Sequence, residues 1–261
     1  MLSLAQQVKR KGQDLGAAGI GICPSSALFH NKASLDSILP RHRSVVSIMF
    51  PHSETALISS DIYVKQYDTI FCYNEMARIG HKLARWLDSQ GYQTVAVPAF
   101  LPLDMKDEKL GMVGAVDWKE AAVLGGLATW GKSGLVVNPL FGPRIRLGGL
   151  VTTAELQPDE KLDVSFCNAC RLCIDSCPAG ALSENGEIDK KRCGDYIFSY
   201  GLRAFTRLLV KLAITQNERS AKQAIYSRST RELWQALETG NYYSCWTCQS
   251  VCPVGKTIPV H

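Results

Sequence analysis

Short unbroken apolar runs alternate along this chain with longer stretches in which apolar residues return every three or four positions. AGIGIC (Ala18–Cys23) and VVSIMF (Val45–Phe50) have strand length and no polar interruption beyond Ser47, and Pro51 stops the second. Such runs predict buried strands. QTVAVPAF (Gln93–Phe100) predicts a third. From Asp61 to Gln90 the residues Ile70, Met76, Ile79, Leu83 and Trp86 lie near helical spacing, and Gly91 follows as a left-handed stop. Ser3 with Gln6 is a capping-box signature, opening a helix to about Gly16. WKEAAVLGGL (Trp118–Leu127) reads as another helix, and GLVVNPLFG and PRIRLGGLVTT as two strands joined through Phe141–Pro143 in an antiparallel pair. Strands and helices mixed in this way predict an α/β (α+β) sandwich over residues 1–157. The polar, proline-containing TTAELQPDEKLD then marks a boundary near Gln157.

Beyond that boundary the pattern is set by cysteine. Eight of the ten cysteines lie in residues 158–261. CNACRLCIDSCP carries Cys167, Cys170, Cys173 and Cys177 at C-x2-C-x2-C-x3-C-P, and CWTCQSVCP carries Cys245, Cys248 and Cys252 at C-x2-C-x3-C-P, with Cys193 between them. One short loop can wrap three corners of a cubane cluster, and the cysteine before proline reaches the other cluster. The expected ligand sets are therefore Cys167, Cys170, Cys173 and Cys252 for one 4Fe–4S cluster, and Cys193, Cys245, Cys248 and Cys177 for the other. A disulfide framework belongs to small secreted domains, and structural zinc prefers paired C-x2-C knuckles. Neither matches this spacing. Cys23 and Cys72 stand alone and read as small buried apolar residues. The segment from Asp189 to about Gln216, followed by TRELWQALETG, reads as a helical insert in this ferredoxin-like domain. Packing of Ile197, Leu202, Leu208 and Leu209 against the first domain would account for it.

Composition narrows the class. With 46% hydrophobic and 20% charged residues, the 261-residue chain has the make-up of a globular protein with room for one large and one small domain. The net charge of +5 is modest. Arg203, Arg207, Lys211, Arg219, Lys222, Arg228 and Arg231 give the insert a basic stretch, read as a solvated face ahead of a docking surface for an acidic partner. No apolar run of membrane-spanning length appears, and the N-terminus has no apolar signal core, so a reducing, cytoplasmic setting is expected. No G-x-G-x-x-G follows a strand and no Walker-type lysine occurs, so nucleotide binding has no support.

The segments before the clusters resemble the epoxyqueuosine reductase family, which is related to the reductive dehalogenases. That family carries G-(I/L)-G-W-I-G-K-(N/S), then G-S-x-F-x-L-G-E-(I/L)-L-T, then the clusters. The counterparts here are GLATWGKS (Gly126–Ser133) and GPRIRLGGLVT (Gly142–Thr152). RCGDYIFSY around Cys193 stands where the family keeps its isolated ligand, and DLGAAGIGIC resembles its first helix-to-strand turn. The resemblance implies a cobalamin (corrinoid) on the α/β domain, supplied with electrons by a ferredoxin or flavodoxin through the two clusters. It places that corrinoid where Gly126, Trp130, Gly131, Lys132, Ser133, Gly142, Leu147 and Gly148 converge, with Trp118 and Trp246 as further candidate walls. The five histidines sit in no D-x-H-x-x-G motif, so no imidazole ligand to cobalt is expected.

Two departures bear on the substrate. Counting back from Lys132, Met112 falls where the family keeps its proton-donating acid. Asp117, Tyr67 and Tyr73 are the replacement candidates. The sequence also stops nine residues after Cys252, where the family continues into helical repeats that hold transfer RNA. Transfer RNA is accordingly doubtful, and little epoxyqueuosine reduction is expected. Three functions remain open: a corrinoid-dependent reductase of an unidentified substrate, an electron-transfer module that reduces the corrinoid of a partner protein, and a plain ferredoxin-like carrier.

Overall fold

A computed structural model describes residues 2–29, 32–97, 99, 103–104, 113–168, 170–240 and 243–257. Helix α1 (Leu4–Asp14) opens on the expected capping box, with the Ser3 hydroxyl accepting from the Gln6 backbone and the Gln6 side chain accepting from Ser3 N–H. Strand β1 (Gly19–Pro24), helix α2 (Lys32–Ile38), strand β2 (Ser44–Pro51) and helix α3 (Glu54–Ile58) follow. The long helix α4 (Ile62–Ser89) is capped by the Asp61 carboxylate, which accepts from Tyr63 N and Val64 N. Then come β3 (Thr94–Val97), the short β4 (Leu103–Asp104) and β5 (Val113–Gly114), α5 (Trp118–Leu124), β6 (Thr129–Trp130), β7 (Val136–Val137) and β8 (Ile145–Thr152).

The main sheet has the order β1-β2-β8-β3, every neighbour antiparallel. Helices α1 and α4 cover one face through Val8, Ile22, Val46, Ile48, Ile79, Leu83 and Leu150. Helices α2 and α5 cover the other through Leu35, Val45, Trp118, Ala121 and Val151. Burial on both faces is why β1 and β2 read as continuous apolar runs instead of alternating ones. The expected sandwich is therefore a three-layer one.

One expected pairing does not form. Strand β8 joins β2 and β3 in the middle of the sheet, while β7 pairs with β6. The Asn138 side chain accepts from Leu140 N and Phe141 N, and a bridge between Asn138 and Gly142 closes a tight turn. That turn redirects the chain before β8 begins. Nor is the segment after β8 a free linker. Asp159 extends β1, its N–H donating to Ile22 O (2.9 Å), its carboxylate accepting from Ile22 N (2.9 Å) and pairing with Lys9.

The cysteine-bearing part contains α6 (Leu172–Asp175), α7 (Lys190–Ile197), α8 (Leu202–Ile214), α9 (Glu218–Ile225), α10 (Arg228–Thr239) and α11 (Thr247–Ser250). Helix α9 was not legible in the sequence. Helix α10 stops at Gly240 in the left-handed conformation, as expected. Helix α8 packs on α9 and α10. Of the insert's apolar residues, Leu209 is half exposed, and Ile197 and Leu208 are partly buried. No described helix is long and apolar enough to cross a membrane.

Candidate metal centres

The seven cysteines of the two runs, with Cys193 as the eighth, are all free thiols of intermediate exposure. Their electrostatic neighbours sort them. Burial pushes the Cys173 thiol up, and Cys167, Cys170 and Cys252 push it further. Burial raises Cys193, with Cys245 and Cys177 adding to it. Cys248 is pushed up to about 12, by burial first and then by Cys245, Cys177, Cys173 and Cys193. Cys252 is raised by burial and again by Cys170 and Cys167, against the lowering influence of Arg144. Four mutually repelling thiolates held together are a donor set for a cationic iron core, so the residues present fit two cubanes. Cys23 and Cys72 lie elsewhere, buried, with thiols pushed up to about 12 by burial. They are inert core residues.

One cavity contains Cys167, Cys170, Cys173 and Cys252 together with Cys248, and its other wall is Gly131, Lys132 and Ser133 from the loop between β6 and β7. The α/β domain thus touches the first thiol set directly. The second set opens elsewhere: Cys245 lies in a cleft bordered by Ile62 and Lys65 of α4 and by Tyr196.

The two parts are stitched by buried polar bonds. Trp246 Nε1 donates to Thr69 Oγ1 (2.9 Å), and Gln66 Nε2 donates to Tyr243 O (3.0 Å). Arg144, 3% exposed, donates to the carbonyls of Cys252 (2.9 Å), Val254 (2.6 Å) and Gln249 (3.3 Å). Gln249 Nε2 returns a bond to Pro143 O (2.9 Å). No spacing rule points to Arg144. An arginine two residues after a glycine in a predicted strand carries no signal of its own.

The residues expected to cradle a corrinoid do not form one cradle. Lys132 and Ser133 face the thiol cavity. A side chain at Gly126 would strike Glu160 O at 2.4 Å, at Gly131 the Val137 side chain at 2.7 Å, and at Gly142 Val254 O at 2.2 Å. At these glycines the space of a Cβ is taken by the chain's own atoms. Leu147 packs into the core, Gly148 faces Ala99 and Met76, and Trp130 lies half exposed with Lys119 over its ring. Trp118 is buried against β8. Of the expected residues, Gly131, Lys132 and Ser133 share a cavity with the first thiol set, and the others lie in separate surroundings.

The proton-donor candidates are equally dispersed. The Asp117 carboxylate caps α5, accepting from Lys119 N and Glu120 N. Tyr67 is 62% exposed on α4. Tyr73 has a polar neighbour: Arg146 stacks between the Tyr73 and Tyr243 rings, 5.3 Å from each centroid, with Nη1 3.4 Å from Tyr73 OH. Met112 lies outside the described residues.

Beside this pair sits a group that sequence reading missed. His52, Asp68 and Cys72 bring a ring nitrogen, a carboxylate and a thiol within 4.8 Å of one another. His52 Nδ1 is bonded to Asp68, and its Nε2 is buried without a partner. Burial drives His52 down to about 4, helped by Arg146 and opposed by Asp68. The imidazole is neutral and donates to the carboxylate. Below its ordinary value near 6.5 the unfolded chain takes up a proton that the folded one refuses, so stability falls as pH drops from 6.5 towards 4. Urea unfolding should show about 2 kcal/mol lost between pH 7.5 and 5 from this group. H52Q should flatten that slope relative to the unmodified protein; equal slopes would contradict the assignment.

The family model for a 4Fe-4S double cluster binding domain matches residues 166–255. The chain is 24% identical over 288 residues to the epoxyqueuosine reductase of Atelocyanobacterium thalassa, covering 98% of this chain and 81% of that protein. The chain is similar to epoxyqueuosine reductases over nearly its whole length. It is 27% identical over 136 residues to the Bacillus anthracis epoxyqueuosine reductase, and 28% identical over 178 residues to a tetrachloroethene reductive dehalogenase of Desulfitobacterium hafniense. Those matches take in 52% and 59% of this chain, but only 29% and 30% of the relatives. Among solved structures, epoxyqueuosine reductase from Streptococcus thermophilus aligns with all of the chain and 69% of its own (TM-score 0.58, 18% identity). A catabolic reductive dehalogenase aligns with 96% of the chain and 32% of its own (TM-score 0.65, 19% identity). The fold is shared with these structures.

Proposed function

We propose that this relative of the epoxyqueuosine reductases is a two-cluster electron relay that reduces an acceptor at its α/β domain. The observation that carries this reading is the arrangement of the thiols. The two sets are neighbours through Cys173 and Cys248, and the first set is walled by Gly131–Ser133 of the other domain. Cys193, Cys245, Cys248 and Cys177 would hold the entry cluster, beside the cleft that opens at Lys65 and Tyr196. Cys167, Cys170, Cys173 and Cys252 would hold the exit cluster. Single electrons suit such clusters, whose potentials follow charge, hydrogen bonding and exposure around the sulfurs. A ferredoxin or flavodoxin is the fitting class of donor. Tyr73, beside the Arg146 guanidinium, is the candidate proton donor closest to a second charged group.

A corrinoid acceptor is the second reading. It is favoured by a solved B12-dependent reductive dehalogenase that aligns with 87% of this chain (TM-score 0.60, 19% identity). When bound, a corrinoid supplies a strongly reducing cobalt centre. Transfer RNA belongs to the same relatives, one of which is solved with an epoxyqueuosine-modified stem loop.

Anaerobic reconstitution tests the relay. About eight irons per chain and two interacting paramagnetic centres on reduction are expected. A plateau near four irons would remove the entry or the exit cluster and with it the relay. Added cobalamin then separates the readings. A base-off spectrum that survives gel filtration assigns the acceptor as a bound corrinoid, and an unchanged spectrum leaves an exchangeable acceptor.

A further inference from the structure

The turn before β8 and the end of the second cysteine run are interlocked. Gly142 has a positive φ of 59° and receives Val254 O; Gly255 has a φ of 63° and receives Leu140 O. A guanidinium lies through this interlock. Arg144 leaves the α/β domain, is almost wholly buried, and spends two of its nitrogens on the carbonyls of Gln249, Cys252 and Val254. Glu54 is the carboxylate whose charge acts on it, and Glu54 Oε2 also accepts from Thr257 N (3.0 Å) and Oγ1 (2.7 Å).

We propose that Arg144 is a positioning residue that fixes the second cysteine run to the α/β domain and raises the reduction potential of the cluster to which Cys252 contributes. The inference rests on the proposed ligand set. Reduction of a cubane adds one electron and no proton, so its negative charge grows by one. A cation that cannot leave, held through the carbonyl of a ligating residue, stabilises the reduced form over the oxidised form. Water screens it little, because the group is buried. Glu54 opposes it, which gives the idea a second test of opposite sign.

The experiment is a redox titration of the reconstituted protein, poised with a low-potential mediator and read by electron paramagnetic resonance. Arg144→Met keeps an unbranched, flexible side chain and removes the charge. At the unmodified protein's midpoint, its ratio of reduced to oxidised cluster should fall about tenfold, equal to about 59 mV for a one-electron couple. The shift should be confined to one of the two clusters. Arg144→Lys keeps the charge and should stay near the original midpoint. Glu54→Gln keeps an acceptor for Thr257 and should move the midpoint upward. An Arg144→Met protein with both clusters and an unshifted midpoint overturns the proposal, as does an Arg144→Lys shift as large as that of the methionine. Should Arg144→Met fail to hold iron, the Arg144→Lys and Glu54→Gln midpoints still decide. Unmodified protein without two cubanes would instead defeat the relay itself, before any variant is compared.

Discussion

Cys252→Ala is expected to empty the cluster built on the first cysteine run and to leave the one built on Cys245 and Cys248. Cys177→Ala should do the reverse. The expectation runs against sequence proximity, because each replaced residue lies in the other cluster's run. It follows from placement. Cys252 interacts with Cys170 and Cys167 and shares their cavity, whereas Cys177 acts on Cys193 and Cys248. Each variant should hold about four irons in place of about eight, with one paramagnetic signal lost and the other retained. Alanine removes the ligand without adding bulk, so the surviving set keeps its geometry. Paired spectra decide the matter: if Cys252→Ala spares the Cys167 cluster and removes the other, each run serves its own cluster and the proposed relay order loses its basis.

Local signals with one cause each were legible in the sequence. The capping box at Ser3, the left-handed stop of α4 at Gly91 and the glycine end of α10 depend on neighbours within a turn, and each was found. The cysteine spacings are legible for the same reason, since one loop must wrap three corners of a cluster. What failed depends on distant partners. Strand β8 was expected beside β7 because the two are adjacent in sequence, yet β8 has β2 and β3 as partners. Its central position is decided by how helices cover both faces. The glycines near the clusters look alike in sequence whether they admit a cofactor or a carbonyl. Only the fold tells that Glu160 and Val254 approach them. His52 follows β2, Asp68 and Cys72 lie on α4 and Arg146 on β8, so no motif announces them.

Gly142→Ala should loosen the cluster domain from the α/β domain and cost the protein iron, although glycine to alanine adds one carbon. Two penalties combine. The residue sits at φ 59°, where an added Cβ costs about 1 kcal/mol. That Cβ would also lie 2.2 Å from Val254 O, a backbone atom that cannot rotate away. Relief requires Val254 to retreat, and the same carbonyl accepts from Arg144 at 2.6 Å. A buried guanidinium then loses a partner, at a further cost of about 2 kcal/mol. The expected total is about 3 kcal/mol, enough to be read as a lower unfolding midpoint. Gly240→Ala is the matched comparison. It has φ 70° with no atom within 4 Å of the new Cβ, so it should cost only the backbone strain, about 1 kcal/mol. If the two variants unfold at the same denaturant concentration and retain equal iron, the interlock at Val254 contributes nothing, and the attachment of the second cysteine run must lie with Trp246 and Gln66. A gap of about 2 kcal/mol, with iron lost from the Cys252 cluster first, would make one carbonyl the point where the fold and the metal centre depend on each other.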